Sequence, residues 1–285
     1  MGPYQHTRPL GMSTESSTWG VENSPASLSV NELYVADCVK FMHRMEADSV
    51  DLTVTSPPYD DLRNYHGYSF NFEAIAEGLY RVTKKGGVVV WVVGDRIKKG
   101  RTLSSFRQAI YFQEVGFHVH DVMIYRKKNT PFMRSNAYTN CYEFMFVLSK
   151  GTPKTFNPLT EPTVRNGMEM LVTNKGADGI NNKVLKELKK KKTRTNIWPY
   201  AVGLHGTTSD KIAFKHPAVF PEALASDHIE SWSNEGDLVF DPMCGSGTTC
   251  KMALLNKRHF IGVDISEEYI RIAKERIQKY VNVIS

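Results

Sequence analysis

Residues 50–61 of this 285-residue chain read VDLTVTSPPYDD, an apolar, β-branched run that stops at a double proline. The run predicts a buried strand. Because Pro57 and Pro58 have no backbone N–H to donate, the segment cannot continue as a central strand. A rigid turn therefore presents Ser56, the Pro57 carbonyl and the Tyr59 ring at the carboxyl end of the strand, where open α/β sheets bind ligands. Two acceptors and a flat aromatic face suit a planar heterocycle that carries an amino group.

A second motif lies near the other end of the chain, where residues 241–249 read DPMCGSGTT between a predicted strand and a predicted helix. Gly245 and Gly247 let the backbone approach a ligand closely, and the helix N-terminus offers unpaired N–H groups. The motif lacks both the lysine of a phosphate-binding P-loop and the third glycine of the dinucleotide fingerprint. Asp264 ends the next predicted strand, 23 residues after Asp241, where an acidic side chain would bind ribose hydroxyls. Taken alone, Asp264 could equally be a helix N-cap.

Together the two motifs resemble those of S-adenosylmethionine-dependent DNA amino-methyltransferases. Residues 56–59, SPPY, are similar to the catalytic tetrapeptide of that family in the form typical of N4-cytosine enzymes. Residues 241–248 are similar to its cofactor loop, Asp-Pro-Phe-x-Gly-Ser-Gly-Thr, with Met243 in place of the usual Phe. The catalytic motif precedes the cofactor loop, which is the order of the circularly permuted β class. The resemblance covers residues 31–149 and 196–280.

The resemblance implies a Rossmann-like class I methyltransferase fold. This is an α/β domain with a mostly parallel seven-stranded sheet, one antiparallel edge strand, circular permutation and an inserted target-recognition region. The alternation of predicted strands and helices agrees with it. We assign residues 1–29 to a flexible N-terminal arm, 30–149 to the catalytic half, 150–213 to the target-recognition insertion and 214–285 to the cofactor-binding half.

Hydrophobic periodicity predicts the individual elements. Helices are predicted at residues 72–82, 104–115, 184–192, 222–232 and 267–280. Gly86 and Gly87 predict a turn before an apolar strand at residues 88–93. Residues 118–125 and 142–148 predict two strands joined by a polar loop, as at an antiparallel edge.

The resemblance also implies roles for single residues. Ser56 and the Pro57 carbonyl would accept hydrogen bonds from the two N–H groups of the target amine. Tyr59 would stack on the base, and Pro58 completes the catalytic motif. The implied cofactor is S-adenosylmethionine, with Asp37 at its adenine and the segment KHPAVFPE, residues 215–222, beside its methionine moiety. The implied cofactor-binding residues are Asp37, His216, Phe220, Asp241, Pro242, Cys244, Gly245, Ser246, Gly247, Thr248 and Asp264. No metal is expected.

The net charge of +6 is concentrated in one segment, since residues 150–215 hold 13 Lys or Arg against 5 Asp or Glu. Such a balance indicates a local contact with a polyanion, although a solvated lysine-rich surface would look the same. With the resemblance, the expected partner is double-stranded DNA, from which the target base must be flipped out. The residues expected to contact its phosphates are Lys189, Lys190, Lys191, Lys192 and Arg194.

Composition indicates the cellular compartment in which the protein is expected to act. Four scattered cysteines without a CxxC pair, no apolar run that could span a bilayer and no signal pattern predict a cytoplasmic protein away from membranes. A companion restriction endonuclease is a further expected partner. The main alternative to N4-cytosine methylation is N6-adenine methylation, because a minority of adenine enzymes also carry Ser in the tetrapeptide. A catalytically silent DNA-binding module is more distant, as is methylation of RNA or of a protein amide.

Overall fold

The computed structural model describes residues 28–58, 70–97, 99–130, 133, 135–164, 167–177 and 179–284. Within these ranges the strands are β1 (Glu32–Val35), β2 (Val50–Thr55), β3 (Thr83–Val93), β4 (His118–Lys127), β5 (Tyr142–Ser149), β6 (Thr160–Pro162), β7 (Glu169–Lys175), β8 (Asn181–Glu187), β9 (Lys191–Thr193), β10 (Ile197–Tyr200), β11 (Leu238–Asp241) and β12 (His259–Asp264). The helices are α1 (Cys38–Arg44), α2 (Phe72–Val82), α3 (Ser104–Val115), α4 (Glu222–Trp232), α5 (Thr248–Leu255) and α6 (Glu267–Ile284), with a 3₁₀ helix at Lys211–Lys215.

Eight of these strands form one sheet in the order β1-β12-β11-β2-β3-β5-β4-β10. All neighbours in it pair in parallel except β5, which runs antiparallel to both β3 and β4. The mostly parallel α/β architecture expected from the sequence is confirmed. Two details of that expectation are wrong, because the sheet has eight strands and its antiparallel strand lies inside rather than at an edge.

The additional strand, β10, is short and contains Pro199. A proline interrupts a central strand, but among the described strands β10 lies at an edge of the sheet and pairs with β4 alone. Its side chains alternate, with Trp198 and Tyr200 buried and the other two exposed. Part of the expected insertion at residues 150–213 therefore belongs to the main sheet. The preceding part forms two small antiparallel pairs, β6 with β9 and β7 with β8.

Strand β3 is buried on both faces and separates two layers of helices. Val88, Val90 and Val92 pack in an apolar core with residues of α4, α5 and α6. Val89, Trp91 and Val93 face the opposite way, into a core with residues of α1, α2 and α3. An uninterrupted apolar run is the pattern expected of a strand covered on both faces.

The predicted helices at residues 72–82, 104–115 and 222–232 are confirmed as α2, α3 and α4, and α6 continues the predicted final helix to Ile284. The helix predicted at residues 184–192 is wrong. Those residues lie partly in β8 and partly in β9, and β8 pairs with β7 from Asn181 to Glu187. Every side chain of β8 is exposed, so no buried face imposed a period on the sequence.

The turn predicted at Gly86 and Gly87 is also wrong, because both residues lie within β3. Gly86 has a left-handed φ of 84°, and the β2–β3 register shifts between Val50 and Leu52, which marks a bulge. A Cβ on Gly87 would lie 2.9 Å from the Asp51 carbonyl oxygen, so the bulge requires glycine there. Within the described ranges, no helix is long and apolar enough to cross a membrane.

Candidate active site

A cleft of about 1130 Å³ opens where the carboxyl ends of β1, β2, β11 and β12 meet. Parallel strands end at the same edge of a sheet, so residues far apart in the chain converge here. The predicted site residues that line the cleft are Asp37, Ser56, Pro57, Pro58, His216, Phe220, Pro242, Cys244, Gly245, Ser246, Thr248 and Asp264. Asp241 and Gly247 are not among its lining residues, and Tyr59 lies outside the described residues.

The strand that carries the catalytic motif is fastened to the motif that carries the cofactor loop. Thr55, the last residue of β2, donates its hydroxyl hydrogen to Asp241 Oδ1 at 2.7 Å. One residue earlier, the Val54 carbonyl accepts a hydrogen bond from Thr249 Oγ1 at 2.9 Å. These bonds join positions 186 and 195 residues apart in sequence, so they fix Ser56 relative to the cofactor loop.

Asp241 acts beneath the cleft rather than in it. Its side chain is buried, and the same Oδ1 that binds Thr55 accepts the Met243 N–H at 3.2 Å. Burial raises the pKa of the Asp241 carboxyl to about 7, and the hydrogen bond from Thr55 opposes that rise. The geometry therefore gives this residue a bracing role between two motifs.

The cofactor loop turns sharply at Gly245, whose φ is +49°. A Cβ there would lie 2.8 Å from Nε2 of His216, so the space of a side chain is taken by the imidazole. The His216 ring in turn contacts Tyr269 edge to face, with 4.3 Å between ring centroids. Its Nδ1 lies 2.8 Å from the carbonyl oxygen and 3.1 Å from the backbone nitrogen of Ala218. Gly247 serves packing, because its Cβ would meet the Ala273 Cβ at 2.7 Å.

Two carboxylates lie on the cofactor side of the cleft. Asp264 Oδ2 accepts the Gly245 N–H and its Oδ1 accepts the Ser266 N–H, both at 2.9 Å. Burial raises the pKa of Asp264, and these backbone hydrogen bonds act against the rise. Asp37 caps α1 by accepting the Lys40 N–H at 2.9 Å. Since each carboxylate oxygen can accept a second hydrogen bond, the pair fits the hydroxyl and amino donors of an adenosine group.

Cys38 and Cys244 also line the cleft, but neither has the character of a nucleophile. Burial, and then the neighbouring Asp37 charge, raises the pKa of the Cys38 thiol to about 12. The pKa of Cys244 is raised by its hydrogen bond with Cys250 and by burial. Reactive cysteines require a lowered pKa, so both thiols serve as packing groups.

The opposite wall of the cleft was missed by sequence reasoning. It is formed at the ends of β4, β5 and β10, where Tyr125, Lys127, Glu143 and Val202 are lining residues. Lys127 Nζ and Glu143 Oε1 form an ion pair of 2.6 Å across β4 and β5. Asn129 donates to the Val202 carbonyl and accepts its N–H, each at 2.8 Å, which fixes the wall. No local motif indicates these positions, because they are brought together by the pairing of β4 with β5 on one side and with β10 on the other.

The residues that are expected to contact DNA phosphates lie outside the cleft. Lys189, Lys191 and Lys192 are exposed, and Lys192 forms an ion pair with Glu161 at 3.0 Å. Lys190 is likewise exposed. Arg194 is engaged within the protein, because its Nη1 lies 2.8 Å from Asp227 Oδ2 on α4. None of the five lines the cleft, so a role in DNA binding stays a prediction for each.

Comparison with known proteins identifies relatives of this chain. Residues 50–275 match the N6_N4_Mtase family, described as DNA methylase. The orphan methyltransferase M.BamHII of Bacillus amyloliquefaciens is 56% identical over 239 residues, which cover 82% of this chain and 90% of that protein. Among solved structures, the cytosine-N4-specific PvuII DNA methyltransferase superposes with a TM-score of 0.64 at 20% identity, covering 90% of this chain and 93% of its own. The M1.HpyAVI–SAM complex superposes with a TM-score of 0.57 at 24% identity, covering 86% and 98%.

Proposed function

Because the chain belongs to the N6_N4_Mtase family of DNA methylases, we propose that it methylates the exocyclic N4 amine of cytosine in double-stranded DNA. The protein is a DNA methyltransferase that uses S-adenosylmethionine, and its fold is the class I methyltransferase fold. Membership of this family does not decide whether the target base is cytosine or adenine. The choice of cytosine is supported by Ser56, since the Ser-Pro-Pro-Tyr form resembles that of N4-cytosine enzymes.

The observation that carries the proposal is the placement of Ser56 and the cofactor loop in one cleft. Ser56, Pro57, Gly245 and Asp264 all line it. Its volume of about 1130 Å³ exceeds the range of about 300–1000 Å³ usual for a single small-molecule site. The cleft therefore has room for a nucleoside cofactor beside a flipped base.

The chain's own residues supply acceptors and positioning. Bound S-adenosylmethionine supplies an electrophilic methyl group. The amine of cytosine is a poor nucleophile, because its lone pair is delocalised into the ring. Ser56 and the Pro57 carbonyl each accept a hydrogen bond from an N–H group of this amine. They thereby favour a pyramidal nitrogen whose lone pair is available for attack. Fixed acceptors and correct placement are then the main sources of rate acceleration.

Access to the amine requires the base to leave the duplex. We assign Tyr59 to stacking on the flipped base, Lys127 and Glu143 to the wall that faces it, and residues 150–195 to target recognition. The paired strands β7 and β8 project exposed apolar and basic side chains, among them Leu171, Leu185 and Lys183, which suit contact with a nucleic acid.

The test is incubation with S-adenosylmethionine and mixed-sequence duplex DNA, followed by mass spectrometry of the nucleosides. We expect N4-methylcytosine. N6-methyladenine would overturn the base assignment and favour the second candidate, adenine methylation, which the family name also admits. Absence of any methylated nucleoside, with cofactor binding demonstrated, would favour a silent DNA-binding module.

Ser56→Ala tests the proposed role of the hydroxyl. Turnover should fall on the order of 10²–10³-fold, by analogy with a lost oxyanion-hole donor, while cofactor affinity stays unchanged. Ser226→Ala is the matched control, because the Ser226 hydroxyl donates to Glu230 at 3.1 Å on α4 and is not a lining residue of the cleft. Near-normal turnover of Ser56→Ala would refute the assignment.

A companion endonuclease stays a prediction. The relative M.BamHII is named an orphan methyltransferase, a name that describes that protein alone. Resistance of methylated plasmid to endonucleases encoded beside this chain would identify a partner. Full sensitivity to all of them would leave the enzyme without one.

A further inference from the structure

Four charged side chains form a buried network directly beneath the cofactor loop. Two are cations, Lys251 of α5 and Arg276 of α6, whose side chains are 3% and 0% exposed. Two are carboxylates, Asp210 and Glu222, which flank the segment that forms one wall of the cleft. Buried charges of this kind are retained only when they are fully paired, since an unpaired one carries a large desolvation cost.

The two cations bind the two carboxylates in a closed set. Lys251 Nζ lies 2.8 Å from Asp210 Oδ2 and 2.8 Å from Glu222 Oε1. Arg276 reaches the same two groups, with Nε 3.1 Å from Asp210 and Nη2 2.7 Å from Glu222. Thr208 Oγ1 adds a hydrogen bond of 2.6 Å to Glu222. The network is neutral as a whole, and each carboxylate is shared by both cations.

Ionisation of the network agrees with this pairing. Although burial raises the pKa of Asp210, hydrogen bonds from Lys251 and Arg276 lower it further than burial raises it. Burial lowers the pKa of Lys251, but hydrogen bonds to Asp210 and Glu222 leave it raised. Asp210 and Lys251 therefore carry their charges at neutral pH.

The remaining nitrogen of Arg276 points to the cofactor loop. Nη1 donates to the Ser246 carbonyl at 2.6 Å, and it lies 3.1 Å from Ser246 Oγ and 3.3 Å from Thr248 Oγ1. Ser246 and Thr248 line the cleft, and so do His216 and Phe220 on the segment between the two carboxylates. One guanidinium thus holds the loop and that wall in a fixed relation.

We propose that Arg276 is a positioning residue for the S-adenosylmethionine site, which it assembles by fixing the loop at Ser246–Thr248 against the wall segment between Asp210 and Glu222. The inference rests on the proposed function only through the use of S-adenosylmethionine and is independent of the base that is methylated. Arg276 does not line the cleft. Its loss therefore changes how well the site receives the cofactor, rather than the chemistry that follows.

The test compares Arg276→Lys with Arg258→Lys. Lysine keeps the positive charge but has one nitrogen, so it cannot serve the carboxylates and the loop together. Arg258 is the matched control, because it is also buried and bonded to backbone carbonyls, of Ser233 at 2.7 Å and Asn256 at 2.6 Å. It does not line the cleft.

Calorimetry with S-adenosylmethionine, without DNA, gives the first readout. We expect Arg276→Lys to weaken binding by about tenfold or more and Arg258→Lys to leave it unchanged. Steady-state kinetics give the second. The KM for S-adenosylmethionine should rise in Arg276→Lys, while kcat at saturating cofactor and the KM for DNA stay within about threefold of wild type.

Three outcomes would overturn the proposal. These are unchanged cofactor affinity in Arg276→Lys, an equal loss in both variants, or a fall in kcat with affinity intact. If Arg276→Lys does not fold, Glu222→Gln gives the same readout, because it keeps the shape and removes one charge that Arg276 binds. Weakened cofactor binding there supports the proposal, and wild-type binding refutes it. Detection of N6-methyladenine instead of N4-methylcytosine would refute the assignment of cytosine as the target base. It would not affect the test of Arg276, which measures cofactor binding.

Discussion

Two buried groups, Asp241 and His228, are expected to titrate in opposite directions over the same range of pH. Burial raises the pKa of Asp241 from 3.8 to about 7. Burial lowers the pKa of His228 from 6.5 to about 3, and its Nδ1 has no hydrogen-bond partner within the described part of the chain. Burial favours the neutral form of each group. The contribution of Asp241 to the stability of the protein is therefore lost as the pH rises, and that of His228 is lost as the pH falls.

The signs follow from proton binding in the folded and unfolded states. The folded protein binds the Asp241 proton more tightly, so this contribution is complete below pH 3.8 and is lost as the pH rises through about 7. The unfolded chain binds the His228 proton more tightly, so that contribution is complete above pH 6.5 and is lost as the pH falls toward about 3. At about 1.4 kcal/mol per pKa unit, the full contributions are about 4 and about 5 kcal/mol.

Between pH 4.5 and 6.5 the two groups change the free energy of unfolding with pH by nearly equal and opposite amounts. Replacing Asp241 by Asn should therefore leave only the pH dependence that comes from His228. We expect the free energy of unfolding of this variant, relative to wild type, to rise by about 1.4 kcal/mol per pH unit across that window. Reversible urea denaturation at half-unit steps of pH measures the difference, and other titrating groups cancel in it. His228→Leu should give a relative slope of the opposite sign.

The slope separates titration from the simple loss of a hydrogen bond. Losing the Thr55 bond changes stability by the same amount at every pH, so it shifts the difference without tilting it. A difference between wild type and Asp241→Asn that stays constant from pH 4.5 to 6.5 would refute the reasoning. It would mean that the Asp241 carboxylate is ionised in the folded state throughout.

Two further predictions concern the cofactor and the DNA. Gly245→Ala should weaken S-adenosylmethionine binding about tenfold in calorimetry, because its Cβ would lie 2.8 Å from His216 Nε2. Gly236→Ala, with φ +85° and nothing within 4 Å of the added Cβ, should lose only stability, and equal affinities in the two variants would contradict the explanation. Replacing all four lysines at residues 189–192 by Gln should make the salt dependence of DNA binding shallower by about 0.9 in log–log slope for each DNA phosphate that is no longer neutralised. Fluorescence anisotropy at several salt concentrations measures this, and an unchanged slope would remove residues 189–192 from the DNA interface.

The elements with a strong local signal were predictable from the sequence. Helix α2 has a regular apolar face and an N-cap, Asn71, whose side chain accepts the Ala74 N–H at 3.2 Å, and its predicted bounds are correct. Strand β8 has no buried face, and the helix predicted there was wrong. Prediction succeeded where burial imposed a period and failed where the strand was held only by its hairpin partner.

The sequence by itself determined the two motifs, their order along the chain and the strand–turn–helix geometry around each. These depend on neighbouring residues, since prolines end β2 after Thr55 and glycines permit the turn at Gly245. Only the tertiary structure decided what lies between and beneath them. Asp241, a predicted cofactor-binding residue, does not line the cleft and binds Thr55, 186 residues away. Arg276 and Lys251 look like ordinary surface charges of amphipathic helices, and their burial depends on carboxylates contributed by distant segments. Such contacts are set by how the sheet and helices pack, and no local pattern of residues encodes them.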